Sequence, residues 1–122
     1  MGPAPIELRL RKADGVLEVA FDDGARFELP PEYLRVESPS AEVQGHSPTQ
    51  KVIVAGRRHV RILAIEPVGN YAVRLTFDDL HDTGIYDWPT LYALGVEQES
   101  RWAAYEAALA ARGLSREPPR RR

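Results

Sequence analysis

Leu17-Glu18-Val19-Ala20-Phe21-Asp22-Asp23, running on to Phe27-Glu28-Leu29-Pro30 and Tyr33-Leu34, decides the fold because the chain spells it a second time. The second copy is Val73-Arg74-Leu75-Thr76-Phe77-Asp78-Asp79, running on to Ile85-Tyr86-Asp87-Trp88-Pro89 and Leu91-Tyr92. Phe77 falls 56 positions after Phe21. Each copy reads as strand, acidic turn, strand and proline-opened short helix, since apolar residues alternate with polar ones and Asp-rich turns close hairpins.

The flanking segments extend this frame. Ile6, Leu8 and Leu10 alternate with Glu7, Arg9 and Arg11, the period of a half-buried antiparallel strand. Pro30-Pro31 opens a helical turn over Pro31 to Val36, because proline suits a helix's first positions. Val60 to Val68 predicts a strand ended by Gly69-Asn70, and Tyr71 to Phe77 pairs back on it. Asp78 to Thr83 is a longer connection than its counterpart, and Gly84 to Trp88 closes the second unit. Pro89 to Leu94 predicts a short helix with Gly95 as its stop. From Glu97 to Arg112, Trp102, Tyr105, Leu109 and Arg112 recur at helical spacing, so Trp102 and Leu109 are expected to cover a sheet face.

The expected fold class is α+β. Two related hairpin–short-helix units form an antiparallel β-sheet, and a C-terminal helix packs on one face. Residues 1–5 are expected to be a flexible N-terminus, residues 6–114 a single domain, and residues 115–122 a disordered tail containing Pro118-Pro119 and ending in three arginines. The segment from Glu37 to Arg58 is long for a connection without secondary structure, which marks it as functional or mobile. Within it Val52-Ile53-Val54 is expected as a short edge strand and a natural homodimer contact.

Composition bounds the chemistry. The 122 residues are 43% hydrophobic and 28% charged with a net charge of −2, an ordinary globular balance that argues for neither nucleic acid nor an anionic membrane as partner. There is no cysteine, which excludes disulfides, thiol catalysis, and cysteine ligation of zinc or iron–sulfur clusters by this chain. No apolar run approaches the ~20 residues of a membrane span. Met1-Gly2-Pro3-Ala4-Pro5 has neither region of a secretory signal, so the expected compartment is the cytoplasm.

Several residues then add up to a pattern: Leu34-Arg35, Ser38-Pro39-Ser40-Ala41-Glu42-Val43, Gly45-His46, Phe77-Asp78-Asp79, His81, and Gly84-Ile85-Tyr86-Asp87-Trp88 followed by Leu91. From about Ile6 to Arg112 the chain resembles a small bacterial domain of unknown function, itself similar to the N-terminal domain of γ-butyrobetaine and trimethyllysine hydroxylases. The resemblance implies a non-catalytic domain. It also implies a link to Mrp-type ATPases that carry iron–sulfur clusters, to which such domains are fused. In the hydroxylases this domain holds zinc through three cysteines and a histidine. Those positions fall on Ser38, Ser40, Val43 and His81, so only the histidine is kept. A neutral serine hydroxyl is a poor zinc ligand and valine is none, so no metal or cofactor is expected there. The oxygenase activity belongs to a separate domain with a His-x-Asp…His iron triad, and this chain has no His-x-Asp.

Other chemistry has less support. Ser38, Ser40 and Ser47 share a loop with His46 but build no Gly-x-Ser-x-Gly elbow. Asp22-Asp23 and Asp78-Asp79 read as turn residues, and Gly45, Gly56 and Gly69 build no phosphate loop. Two functions of different class stand. The first is an accessory module contacting a protein partner, with Arg35, Ser38, Ser40, Glu42, His46, His81 and Trp88 as its candidate surface and iron–sulfur handling as its concrete form. Trp88 is either an anchor on that surface or a buried residue ahead of a helix. The second is a small metal- or ligand-binding protein using His46, His81 and a carboxylate such as Asp79 or Asp82.

Overall fold

In a computed structural model, which describes residues 2–119, the chain forms two three-stranded antiparallel sheets and four α-helices. The first sheet is a meander of β1 (Pro5–Leu10), β2 (Leu17–Phe21) and β3 (Arg26–Leu29). The second is a meander of β4 (Ile62–Val68), β5 (Ala72–Phe77) and β6 (Gly84–Asp87). Helix α1 (Pro31–Val36) follows the first meander and α3 (Trp88–Val96) the second; α2 (Ala41–Gln44) lies in the long connection and α4 (Gln98–Ala111) ends the body. The fold is α+β, as the repeat predicts, but the duplicated unit is a three-strand meander plus helix rather than a bare hairpin plus helix.

The duplication extends to irregularities. Each first strand is bulged at the same place: Pro5 pairs with Phe21 and Glu7 with Ala20, while Ile62 pairs with Phe77 and Ala64 with Thr76. The extra residue in each bulge is turned outward, leaving Ile6 70% and Leu63 63% exposed. This corrects the alternation that places Ile6 in the core beside Leu8 and Leu10; a bulge shifts the face by one residue.

The main core joins both units through Leu17, Phe21, Leu29, Tyr33, Leu75, Phe77, Tyr86 and Leu91. Trp102 of α4 packs against it, and Tyr105 and Leu109 form a second cluster with Val36, Val43 and Val54. The C-terminal helices thus cover the sheets, with α4 filling the space against α1 and the long connection. Gly95 does not stop a helix. It lies inside α3, and it is glycine because Phe27 of β3 sits where a side chain would be: a Cβ there would collide with the Phe27 ring.

The connection from Glu37 to Arg58 is more structured than its composition suggests. It holds α2, capped by the Ser40 hydroxyl, and a 3₁₀ turn over Pro48–Gln50. Val52–Val54 is not an edge strand. The Val52 N–H bonds the Val43 carbonyl at 2.7 Å, and the Val54 carbonyl accepts the Tyr105 hydroxyl at 2.6 Å. At the tail, the Gly56 and Arg58 N–H groups donate to the Ser115 and Arg116 carbonyls, while Arg120–Arg122 lie outside the described residues. Among the described residues no helix is long and apolar enough to cross a membrane.

Candidate functional site

The turns that join β2 to β3 and β5 to β6 are built alike. In the first, the Phe21 N–H bonds the Ala25 carbonyl and Asp23 Oδ1 accepts the Ala25 N–H. In the second, the Phe77 N–H bonds the His81 carbonyl and Asp79 Oδ1 accepts the His81 N–H. These are Asx-type closures, in which the aspartate oxygen takes a backbone N–H two residues on. The position between them needs a left-handed backbone. Gly24 supplies it at φ 92°, whereas the second turn places Leu80 there at φ 73° with 83% of the residue exposed.

This second turn presents His81 to the connection after α1. Ser38 Oγ lies 2.9 Å from His81 Nε2 and accepts the Ser40 N–H at 3.3 Å. Glu42 Oε2, which can only accept, lies 3.4 Å from Nδ1; this favours the imidazole proton on Nδ1, with Nε2 accepting the Ser38 hydroxyl hydrogen. Ser40 Oγ lies 2.7 Å from the Thr83 hydroxyl, so two serines of the connection are matched to two residues of the turn. His81 is 6% exposed. Burial, and next the positive charge of Arg35, hold its pKa below the ordinary histidine value, so the ring is neutral at pH 7.

Arg35 closes the other side. Its Nε donates to Asp79 Oδ2 at 2.7 Å, and Arg57 Nε donates to the same oxygen at 2.6 Å. Burial alone would raise the Asp79 pKa, but the two guanidinium bonds and the His81 N–H outweigh it and hold the carboxyl below its usual value. Arg35 Nη1 is buried without a partner among the described residues. Below Ser38 lies Gly84, whose Cα leaves no room: a Cβ there would fall 2.6 Å from Ser38 Oγ. Tyr86 then ties β6 to α1 by donating to the Leu34 carbonyl at 2.6 Å.

Three of the four positions where the resemblance puts zinc ligands, Ser38, Ser40 and His81, therefore lie in one hydrogen-bonded joint. The fourth, Val43, is buried in the second apolar cluster. This donor set does not fit zinc: the two hydroxyls are already engaged with His81 and Thr83, and Val43 offers only carbon. Among the described residues no group of three or more His, Cys, Asp or Glu is arranged to hold a metal, the set of His46, His81 and a carboxylate included. His46 is exposed, and its N–H bonds the Gln50 side chain at 2.9 Å.

The order Ser38–His81–Glu42 matches that of a hydrolase relay, with Nε2 toward the hydroxyl and Nδ1 toward a carboxylate. Ser38 is 0% exposed and wedged against Gly84, so its oxygen cannot meet a substrate carbonyl. The contacts brace one element on another; no catalytic role is indicated. Of the residues expected to form a surface, Arg35, Ser38, Ser40 and His81 are buried, Glu42 and His46 are exposed, and Trp88 is half-buried with its indole N–H on the Asn70 carbonyl. Sequence reasoning missed Arg57 and Thr83 as partners of this joint. The one available signal was that buried acids and hydroxyls need mates.

The comparisons agree with this architecture. A family model described as gamma-butyrobetaine hydroxylase-like, N-terminal, matches residues 8–92, and the chain belongs to that family. One NMR solution structure matches with a TM-score of 0.82 at 42% identity, over 98% of this chain and 94% of its own. A second matches with a TM-score of 0.82 at 48% identity, over 99% and 90%. A crystal structure of a protein of unknown function from Acidithiobacillus ferrooxidans, assigned to the DUF971 family, matches with a TM-score of 0.63 at 41% identity, over 75% and 91%. No curated protein matches the chain.

Proposed function

We propose that this chain is a non-catalytic interaction domain that docks a cytoplasmic protein partner through the surface around the second turn and α2, with Leu80, Glu42 and His46 as contacts. The observation that carries this reading is Leu80. A leucine is held in a left-handed backbone that costs an L-residue about 1–2 kcal/mol, with its side chain almost wholly in solvent. The first unit puts glycine at the same point of the same turn. Strain kept for an exposed apolar side chain supports a contact role. The buried joint beneath it, Arg35, Ser38, Ser40 and His81, fixes the turn rather than meeting the partner.

The family's resemblance to domains fused to Mrp-type ATPases makes an iron–sulfur carrier ATPase the partner to test. Purified chain and ATPase are expected to bind, with affinity at least tenfold weaker for Leu80→Gly and for Glu42→Ala/His46→Ala. Failure to bind would remove that partner; unchanged affinity in both variants would remove the surface. Metal content separates this reading from the metal-binding one. Stoichiometric zinc or iron in untagged protein, lost in His81→Ala, would replace the interaction-only reading.

A further inference from the structure

The tail makes a second surface legible. After α4 the chain turns at Gly113, and Ser115–Glu117 runs alongside Gly56–Arg58. The Gly56 N–H bonds the Ser115 carbonyl at 2.9 Å and the Arg58 N–H bonds the Arg116 carbonyl at 3.0 Å. Arg116 is the anchor. Its Nε and Nη2 donate to the two oxygens of Glu32 at 2.9 and 2.7 Å, a two-pronged fit of guanidinium to carboxylate. Its guanidinium carbon lies 5.1 Å from the Trp102 ring centroid, where the negative face of the ring attracts a cation. Arg58 Nη1 adds an ion pair to Glu117 at 2.6 Å.

Glu32 makes this more than a tail contact. It is 6% exposed, on a helix whose every residue is buried, and Arg116 is its salt-bridge partner among the described residues. With the tail in place Glu32 is buried and paired; a segment lying over the groove without a cation would bury the carboxylate unpaired, which is costly, so the groove favours a guanidinium. A cavity of about 260 Å³ adjoins it, lined by Pro30, Glu32, Tyr33, Gln98, Trp102 and Arg116, with room beside the bound arginine. Backbone donors that take an extended strand, a carboxylate for one arginine and an aromatic ring above it are the parts of a peptide-recognition groove.

We propose that the groove formed by Glu32, Trp102 and Gly56–Arg58 is a docking site for an arginine-bearing extended peptide of a partner protein, held in cis by this chain's own Ser115–Glu117. The tail occupies it at the high effective concentration of a short tether, so a partner's arginine enters when the tail is displaced. Arg57 also bonds Asp79 beside Leu80, so the groove adjoins that turn, but its anchors, Glu32 and Trp102, and its occupant are different, and its failure leaves that reading untouched.

The test is titration of an acetylated peptide, Gly-Leu-Ser-Arg-Glu-Pro-Pro, into ¹⁵N-labelled full-length protein and its Arg116→Ala variant, following the Trp102 indole N–H signal. Binding to Arg116→Ala at least tenfold tighter than to the unchanged chain is expected. That binding should be lost on replacing the peptide's arginine by alanine or on adding Glu32→Gln. A folded Arg116→Ala protein that does not bind the peptide, or binds it no better than the unchanged chain, overturns the proposal. Should Arg116→Ala fail to fold, Arg116→Lys keeps a cation over Trp102 but gives up the paired bonds; there at least a threefold gain is expected, and no gain overturns the proposal.

Discussion

Arg35, on the helix of the first unit, is bonded to Asp79 in the turn of the second. The converse link also exists: Tyr92, on the helix of the second unit, donates to Asp23 in the turn of the first at 2.6 Å. Each aspartate spends Oδ1 on closing its own turn and Oδ2 on holding the other unit's helix. The two repeats are thereby interlocked, and the helix that belongs to each in sequence serves the other in space. The two links differ in burial, and the differences below follow from that.

Asp79→Asn should lower stability by about 3 kcal/mol, because it leaves Arg35 and Arg57 facing each other around a neutral amide in a largely buried place. Asp23→Asn should cost clearly less, since the amide oxygen can keep the Ala25 N–H while its NH2 donates to the Tyr92 hydroxyl, and the site is exposed. Urea unfolding of both variants checks the order; equal losses would show that the turn closure, not the buried charge pair, dominates at Asp79.

Leu80→Gly should raise stability by about 0.5–1 kcal/mol, the relief of left-handed strain exceeding the added freedom of the unfolded chain. Gly24→Leu in the first turn should do the reverse. A higher melting midpoint together with weaker partner binding would separate the two costs at one residue.

Lowering the pH should destabilise the fold in two steps. His81 is kept neutral by burial, so the unfolded chain binds the proton more readily. Its contribution is complete above the ordinary histidine value near pH 6.5 and is lost as pH falls from there through the lower folded value. Asp79, whose folded pKa is also depressed, contributes above the ordinary carboxyl value and loses that contribution only in more acidic solution. His81→Gln, which keeps a partner for Ser38, should flatten the stability profile below pH 6.5 and leave the acidic limb. An unchanged profile in that variant would move the first step to another group.

Gly84→Ala should destabilise by about 2 kcal/mol, because the new methyl group meets Ser38 Oγ at 2.6 Å in a packed site. Ser38→Ala in the same chain should recover part of this loss by removing the oxygen, although it leaves His81 Nε2 without its mate. Thermal unfolding of the two single variants and the double gives the coupling. Strict additivity would mean the clash is relieved elsewhere.

Much of this molecule is written locally. Alternation in Leu17, Val19 and Phe21 and in Val73, Leu75 and Phe77, the acidic turns and Pro30-Pro31 were enough for the repeat, its strands and its first helix, because period and turn chemistry act between neighbours. The bulges were not legible: Ile6 reads as core by alternation, and only pairing across strands shows the extra residue. Nor was Gly95, whose reason is Phe27 on another element.

At the site, the residue types were visible and their employment was not. His81 and Ser38 stand 43 positions apart and Arg116 and Glu32 stand 84 apart, and nothing local announces either bond. The sequence by itself determined a duplicated α+β frame without cysteine chemistry, since composition and periodicity are properties of the chain alone. Only the tertiary structure decided that Arg35, Ser38 and His81 brace the interior and that the tail fills a groove, because burial and pairing are set by which distant residues the packed core brings together.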